Sequence, residues 1–221
     1  MTMPKVPTAI LFCATALCAL CFAGEPSPEP RPGEKTLSFF LDTTLDTVAI
    51  TNNGMNLLAP FPNGIPLFDE PNIQPGLAIL AKIRNEQGEV IGFASELEDF
   101  PPEGPSPAGE LRWKTAWTLV IPGRGSIFLS QIEDVRDLLT LVVWPTLNSG
   151  IPFEGLYTAI HTDGPRRDGR GIIMGGTGDY ARLRGSFVEI AQVTGFDPFS
   201  TPDLELTLEI RLFYRGRTID P

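Results

Sequence analysis

Past residue 21 this 221-residue chain has no cysteine; Cys13, Cys18 and Cys21 are its three. All of them fall in a short apolar stretch at the start. The rest of the chain can make no disulfide and offers no thiolate, so an ordinary core must hold it together. Histidine is scarcer still: His161 stands alone. A Ser-His-Asp triad could be built only on that residue, and no G-x-S-x-G elbow places its serine. Zinc sites normally recruit several His or Cys ligands, so no metal is expected, and His161 beside Asp163-Gly164-Pro165 reads as a turn residue. Neither a Walker loop nor a dinucleotide fingerprint occurs, since Gly175-Gly176-Thr177-Gly178 has the spacing of neither. Basic residues are few, 17 Lys and Arg against 27 Asp and Glu. That balance disfavours nucleic acid or an anionic membrane surface as a partner, and reads most simply as solubility.

Long apolar runs are also missing. The best, residues 9–22, has about 14 residues where a membrane span needs roughly 20. With Lys5 before it and Ala23-Gly24 after it, the stretch has the pattern of a secretory signal peptide. Cleavage is expected after Ala23, leaving a mature chain near −11 in net charge that is secreted or periplasmic. The alternative is lipid attachment at Cys21. Leu20 speaks against it, because lipoprotein processing favours a small residue there. Residues 24–35, rich in proline and charge, read as a disordered tether, followed by one domain over 36–215 and a tail over 216–221.

What the domain has is alternation. Leu204, Leu206, Leu208, Ile210, Leu212 and Tyr214 share one face of a strand, and Leu111, Trp113, Thr115, Trp117, Leu119 and Ile121 share a face of another. Residues 77–84 and 90–97 flank a turn at Asn85-Glu86-Gln87-Gly88, and Pro122-Gly123-Arg124-Gly125 leads into 126–132. Further strands are expected over 36–44, 138–144, 155–161, 170–174 and 180–192. With 22 prolines and 22 glycines spread along the chain, long helices have little room. The pattern implies an all-β sandwich or closed barrel and does not choose between them.

The choice comes from residues 174–185, MGGTGDYARLRG. This run resembles the G-G-T-G-x-(F/Y)-x-x-x-R-G turn-and-strand signature of dirigent proteins, with a close relative in allene oxide cyclases. Leu37-Ser38-Phe39-Phe40-Leu41-Asp42 is similar to the opening dirigent strand, Leu67-Phe68-Asp69-Glu70-Pro71 to the connection before the second, Val90-Ile91-Gly92-Phe93-Ala94 to the next strand, and Leu212-Phe213-Tyr214 to the closing one. Residues 135–170 depart from the pattern and are expected to form an extra hairpin or a loop over the barrel mouth. Glycines suit a tight turn with positive φ, Tyr180 would plug a barrel end, and Gly185 would let neighbouring strands approach.

The resemblance implies a single closed antiparallel eight-stranded barrel that uses no cofactor. It also implies an apolar pocket with a few polar groups at its mouth. There an apolar small molecule would be held while it cyclises or couples stereoselectively, as by an isomerase-type cyclase or a dirigent-like guide. The alternative is a lipocalin-like carrier of an apolar ligand. The candidate catalytic residues are Asp42, Arg184 and Tyr180, with Thr44, Trp113, Trp117 and Tyr157 as substrate-binding candidates. An inward Asp42 would be partly desolvated and fit for proton transfer; an outward one is an ordinary aspartate of an amphipathic strand. Arg184 is either a functional group or a wall ion pair, Tyr180 a functional group or a plug, and the tryptophans pocket wall or core. A homo-oligomer is possible on this reading, and no membrane span is expected.

Overall fold

The computed structural model describes residues 28–44, 47–52, 67–102, 111–200 and 204–219. The proposed export segment, residues 1–23, lies outside the described residues. Among the described residues, ten strands form one antiparallel sheet: β1 (Lys35–Asp42), β2 (Thr47–Asn52), β3 (Gly76–Arg84), β4 (Val90–Asp99), β5 (Arg112–Ile121), β6 (Gly125–Asp134), β7 (Phe153–Ile160), β8 (Gly171–Gly176), β9 (Gly185–Phe196) and β10 (Leu204–Tyr214). The order β1-β10-β9-β8-β6-β5-β4-β3 returns to β1 through Phe40 opposite Arg84, which closes an eight-stranded barrel. The two remaining strands extend this ring. β2 continues along the β3 edge beyond β1, and β7 takes over from β8 along β9.

Period-two alternation sends one side of each strand inward. Leu37, Phe39 and Leu41 of β1, Trp117 and Leu119 of β5, and Ile210 and Leu212 of β10 are buried in one core. The glycine turn closes one end. There Tyr180 is fully buried, and the Arg124 guanidinium lies 5.6 Å from its ring centre. The strand reaching 180 in the sequence reading starts later, at Gly185, because residues 178–184 turn.

Residues 138–144, expected as a strand, are helical: α1 (Arg136–Leu138), a π-helical turn (Leu139–Val143) and α2 (Trp144–Ser149). The reason is legible in the pattern. Leu138, Leu139, Val142 and Val143 are buried while Thr140 and Leu141 are exposed, a helical spacing that no strand reproduces. Gly150, with φ 69, ends the segment in a left-handed cap. Its apolar side joins the barrel core together with Phe100 and Leu111, at the end opposite Tyr180.

The segment 28–34, which composition reads as part of a tether, runs along the outside of the barrel. Arg170, only 5% exposed, holds it. Its guanidinium lies 4.0 Å from the Phe213 ring centre, donates to the Glu29 carbonyl at 2.8 Å and pairs with Glu34 at 3.0 Å. Arg31 pairs with Asp168 beside it. Arg170→Ala removes the cation from this stack and should cost about 2 kcal/mol or more. A lower melting temperature and faster proteolysis within 28–34 would show it; an unchanged cleavage rate would show that Arg170 does not hold the strap.

Candidate functional site

Alternation places polar side chains inside the barrel, in its middle and at the end away from Tyr180. Glu96 faces inward from β4, Thr115 and Trp117 from β5, Gln131 and Glu133 from β6, and Glu189 from β9, all nearly inaccessible. Glu98 follows at the rim, half-buried. His161 and Thr162 come from the link after β7 and are also buried. The backbone fixes them. The His161 N–H donates to the Glu189 carbonyl at 2.9 Å, and the Asp134 N–H donates to the His161 carbonyl at 2.7 Å. His161 is therefore stitched between β9 and β6, and its imidazole is held over the interior rather than in a solvated turn.

One oxygen each of Glu133 and Glu189 is anchored. Glu189 Oε2 accepts from the Trp117 indole at 3.0 Å and from Gln131 Nε2 at 2.5 Å. Thr162 Oγ1 orients that amide, donating to Gln131 Oε1 at 2.5 Å and accepting from the Glu189 N–H at 2.7 Å. Glu133 Oε2 accepts from Thr115 Oγ1 at 2.7 Å. The other oxygens turn to His161, whose Nδ1 is 3.7 Å from Glu133 Oε1 and 3.9 Å from Glu189 Oε1. Glu96 Oε1, His161 Nε2 and Trp113 Nε1 are buried without hydrogen-bond partners.

So many acids in a dry space cannot all be charged. Burial, then the charges of Glu189, Glu98 and Glu133, push the Glu96 carboxyl well above the usual range. Glu98 is pushed up likewise by burial and by Glu133 and Glu189, with the neighbouring Trp113 indole opposing in part. Burial and Glu133 bring Glu189 to about 7 against the pull of His161, Gln131 and Trp117. Burial alone would lower the His161 pKa, but the carboxylates of Glu133 and Glu189 leave it raised. Among the described residues, no lysine or arginine side chain points into this interior.

Of the residues expected to form the site, Trp113 and Trp117 lie in this cluster. The other five do not. Asp42 is on the outer face of β1, opposite the buried Leu41, and its Oδ1 accepts from the Thr44 N–H at 3.1 Å. Thr44 Oγ1 donates to the Leu204 carbonyl at 3.0 Å and accepts from the Leu206 N–H at 3.2 Å, bridging a kink. Arg184 is exposed, and its Nη1 donates to the Leu183 carbonyl at 2.7 Å. Asp42 faces Thr207, whereas Arg184 adjoins Gly185, which pairs with Tyr214 opposite Lys35. Seven strand positions, about 23 Å, separate the two levels, so they share no site. Tyr180 is a buried plug at the far end, its hydroxyl raised by burial and without a partner. Tyr157 is buried in β7 and borders an outer cleft of about 440 Å³ with Asp134, Thr162 and Arg170; burial, then Asp137 and Asp134, raise its phenol.

The glutamates and His161 were not among the sequence candidates. Glu96 and Glu98 do alternate with Leu97, and Glu189 with Val188 and Ile190, so the acids share the inward register. That register becomes visible only once the opposite face is known to be covered, as Val188, Ile190 and Phe213 are, in a second cluster with Ile160 outside the barrel.

No family model matches the chain, and no curated protein matches it. Solved structures do. The pterocarpan synthase dirigent protein GePTS1 is 13% identical, with 89% of this chain and 92% of that one covered at a TM-score of 0.40. AbnU, an exo-specific intermolecular Diels-Alderase, is 10% identical over 81% of this chain and 98% of its own, at 0.38. A nonspecific heme-binding cyclase that catalyses a cycloaddition in neoabyssomicin biosynthesis is 10% identical over 85% and 68%, at 0.32. At these values the likeness assigns neither family nor activity.

Proposed function

We propose that this chain is an exported barrel that takes an apolar, oxygen-bearing small molecule at the Glu98–Trp113 end and steers its cyclisation or coupling without an organic cofactor. One observation carries the reading: an acidic cluster between Trp113 and Trp117 fills the middle of a barrel whose other inward positions are largely apolar. Exchanging buried ionic groups for apolar ones of similar volume is commonly neutral or stabilising by about 1–4 kcal/mol. A barrel kept only as scaffold has no use for four inward glutamates, so their cost points to chemistry. Trp113 and Trp117 are buried, so on this reading the barrel end opens to let an unsaturated skeleton lie against them in a folded, near-attack shape. The polar groups between them engage a carbonyl or hydroxyl oxygen as the new ring bond forms.

Small molecules co-purifying with the exported chain, identified by mass spectrometry before and after incubation, test this directly. A conversion that Glu98→Gln slows by about tenfold or more, at an unchanged melting temperature, is the expected result. A ligand released unaltered would make the barrel a carrier. Absence of any bound or converted molecule would overturn the reading. Intact mass of the exported chain should show a start near Gly24, and a mass retaining acylated Cys21 would place it on a lipid anchor.

A further inference from the structure

We infer that Glu133, His161 and Glu189 form a binding site for one first-row divalent metal ion, with an oxygen of the substrate as a further ligand. The inference deepens the proposed function, and it rests on that reading only for the last ligand.

The ligand atoms of the three residues lie within 4.8 Å of one another, and all three residues are buried. Nδ1 of His161 is 3.7 and 3.9 Å from the nearest oxygens of Glu133 and Glu189, beyond hydrogen-bond length. Two ligand atoms each about 2.1 Å from a shared ion lie roughly 3.4 Å apart in a tetrahedron and at most about 4.2 Å apart. Both separations from Nδ1 fall inside that limit and the two carboxylates lie within 4.8 Å of one another, so a modest closure of the three side chains would complete the site.

The surroundings have the form of an outer ligand shell. Trp117 and Gln131 take the second oxygen of Glu189, and Thr115 takes the second oxygen of Glu133. Each carboxylate is thereby aimed at His161 through its remaining oxygen, which is how outer partners orient metal ligands. A separate observation points the same way. Glu96 is 2% exposed, and its Oε1, without any partner, belongs to a carboxylate that joins Glu98 and Glu133 in a second group within 4.8 Å. That group shares Glu133 with the first, so the Glu96 carboxylate stands beside the site and offers an oxygen to a water bound on the ion.

Charge supports the assignment. Two carboxylates, a neutral imidazole and a divalent cation sum to zero, so filling the site removes the buried charge that the carboxylates otherwise carry. An imidazole with two carboxylates suits Mn²⁺, Fe²⁺, Co²⁺ or Zn²⁺ better than Mg²⁺ or Ca²⁺. In such a place the ion acts as a Lewis acid, drawing electron density from a coordinated carbonyl or enol oxygen.

The test uses the full chain stripped with chelator and dialysed. Co²⁺ should bind at one equivalent with a visible d–d absorption, Zn²⁺ should displace it, and Mg²⁺ should not. Glu133→Gln, Glu189→Gln and His161→Gln should each weaken Co²⁺ binding by about 10- to 100-fold or more. Glu209→Gln, the same exchange on the outer face, should leave it unchanged. Near-ultraviolet circular dichroism separates lost binding from lost folding, and the two glutamine variants at glutamate keep the shape if His161→Gln does not. Absence of stoichiometric Co²⁺ binding, or binding that survives Glu189→Gln and Glu133→Gln, overturns the site. Conversion of a small molecule by metal-free protein would remove the metal and leave the proposed function standing. Tight metal binding with no small-molecule ligand would do the reverse.

Discussion

Gly178→Val should lower the melting temperature by about 6 °C or more, whereas Gly123→Ala should cost only a few degrees. Both glycines have positive φ, 57 for Gly178 and 78 for Gly123. They differ in what surrounds them. A Cβ at Gly178 would stand 2.0 Å from the Arg124 carbonyl oxygen, and one at Gly123 would meet nothing within 4 Å. Backbone strain alone costs about 1–2 kcal/mol at either position, more for a β-branched side chain. At Gly178 the contact adds to it, because the turn is clamped to its neighbour. The Asp179 N–H donates to that same Arg124 carbonyl at 2.8 Å, and the Thr177 N–H donates to the Ser126 carbonyl at 2.9 Å. Pushing the turns apart breaks these bonds and disturbs the end of the barrel that Tyr180 fills. A total near 3 kcal/mol or more follows, and 1 kcal/mol moves the midpoint by about 2–4 °C in a chain of this size. Arg184→Ala, exposed on the same turn, should leave the midpoint unchanged within about a degree. Thermal melts of the three variants decide the matter; equal losses for the two glycines would show that the turns are not interlocked.

That glycine run was the most informative part of the sequence. It located a turn with a left-handed residue at Gly178, a buried Tyr180 and a following strand, and the expectation of a closed eight-stranded barrel agrees with the structure. Gly176 does not have a positive φ; it is glycine for lack of space, since a Cβ would meet the Tyr180 and Ser126 carbonyl oxygens at 2.6 and 2.7 Å. Strands with strict alternation were legible within a residue or two, as at Leu204–Tyr214. Residues 138–144 were not, because a short apolar run has no clear period until its exposed positions are known. β2 was not anticipated, its continuation of β1 along the edge of β3 being a long-range pairing. The site was harder to read. Acids are ordinarily surface residues, and alternation does not say which face is the inside when both faces are covered, as on β9. His161 looked like a turn residue because it neighbours Asp163-Gly164-Pro165. Only the pairing of its backbone with β6 and β9 shows that it enters the barrel.

The buried acids should also invert the usual dependence of stability on pH. With chelator present, the chain is expected to melt several degrees higher at pH 5 than at pH 8. In the unfolded chain the glutamates titrate near 4.3. In the fold, burial and mutual repulsion raise Glu96 and Glu98 well above that, and Glu189 to about 7. Between these limits the folded state holds protons that the unfolded state has released, so stability falls as pH rises. His161 acts in the same direction. Its raised pKa contributes stability that is complete below about 6.5 and is lost as pH climbs through the folded value. Glu34 and Asp168, lowered by their arginine partners and backbone N–H groups against burial, oppose this only in acid, losing their contribution as pH falls below about 4. Both lie near the surface, so that loss is small. Glu96→Leu isolates the cause. It removes a carboxyl oxygen that has no partner and places an apolar side chain in the barrel beside Trp117, its neighbour across β4 and β5. The substitution should raise the melting temperature at pH 8 by about 2–8 °C, and by much less at pH 5 where the acid is already neutral. A wild-type chain more stable at pH 8 than at pH 5 under chelation, or a Glu96→Leu variant that melts lower at pH 8, would show that these carboxyls are not crowded in a dry interior.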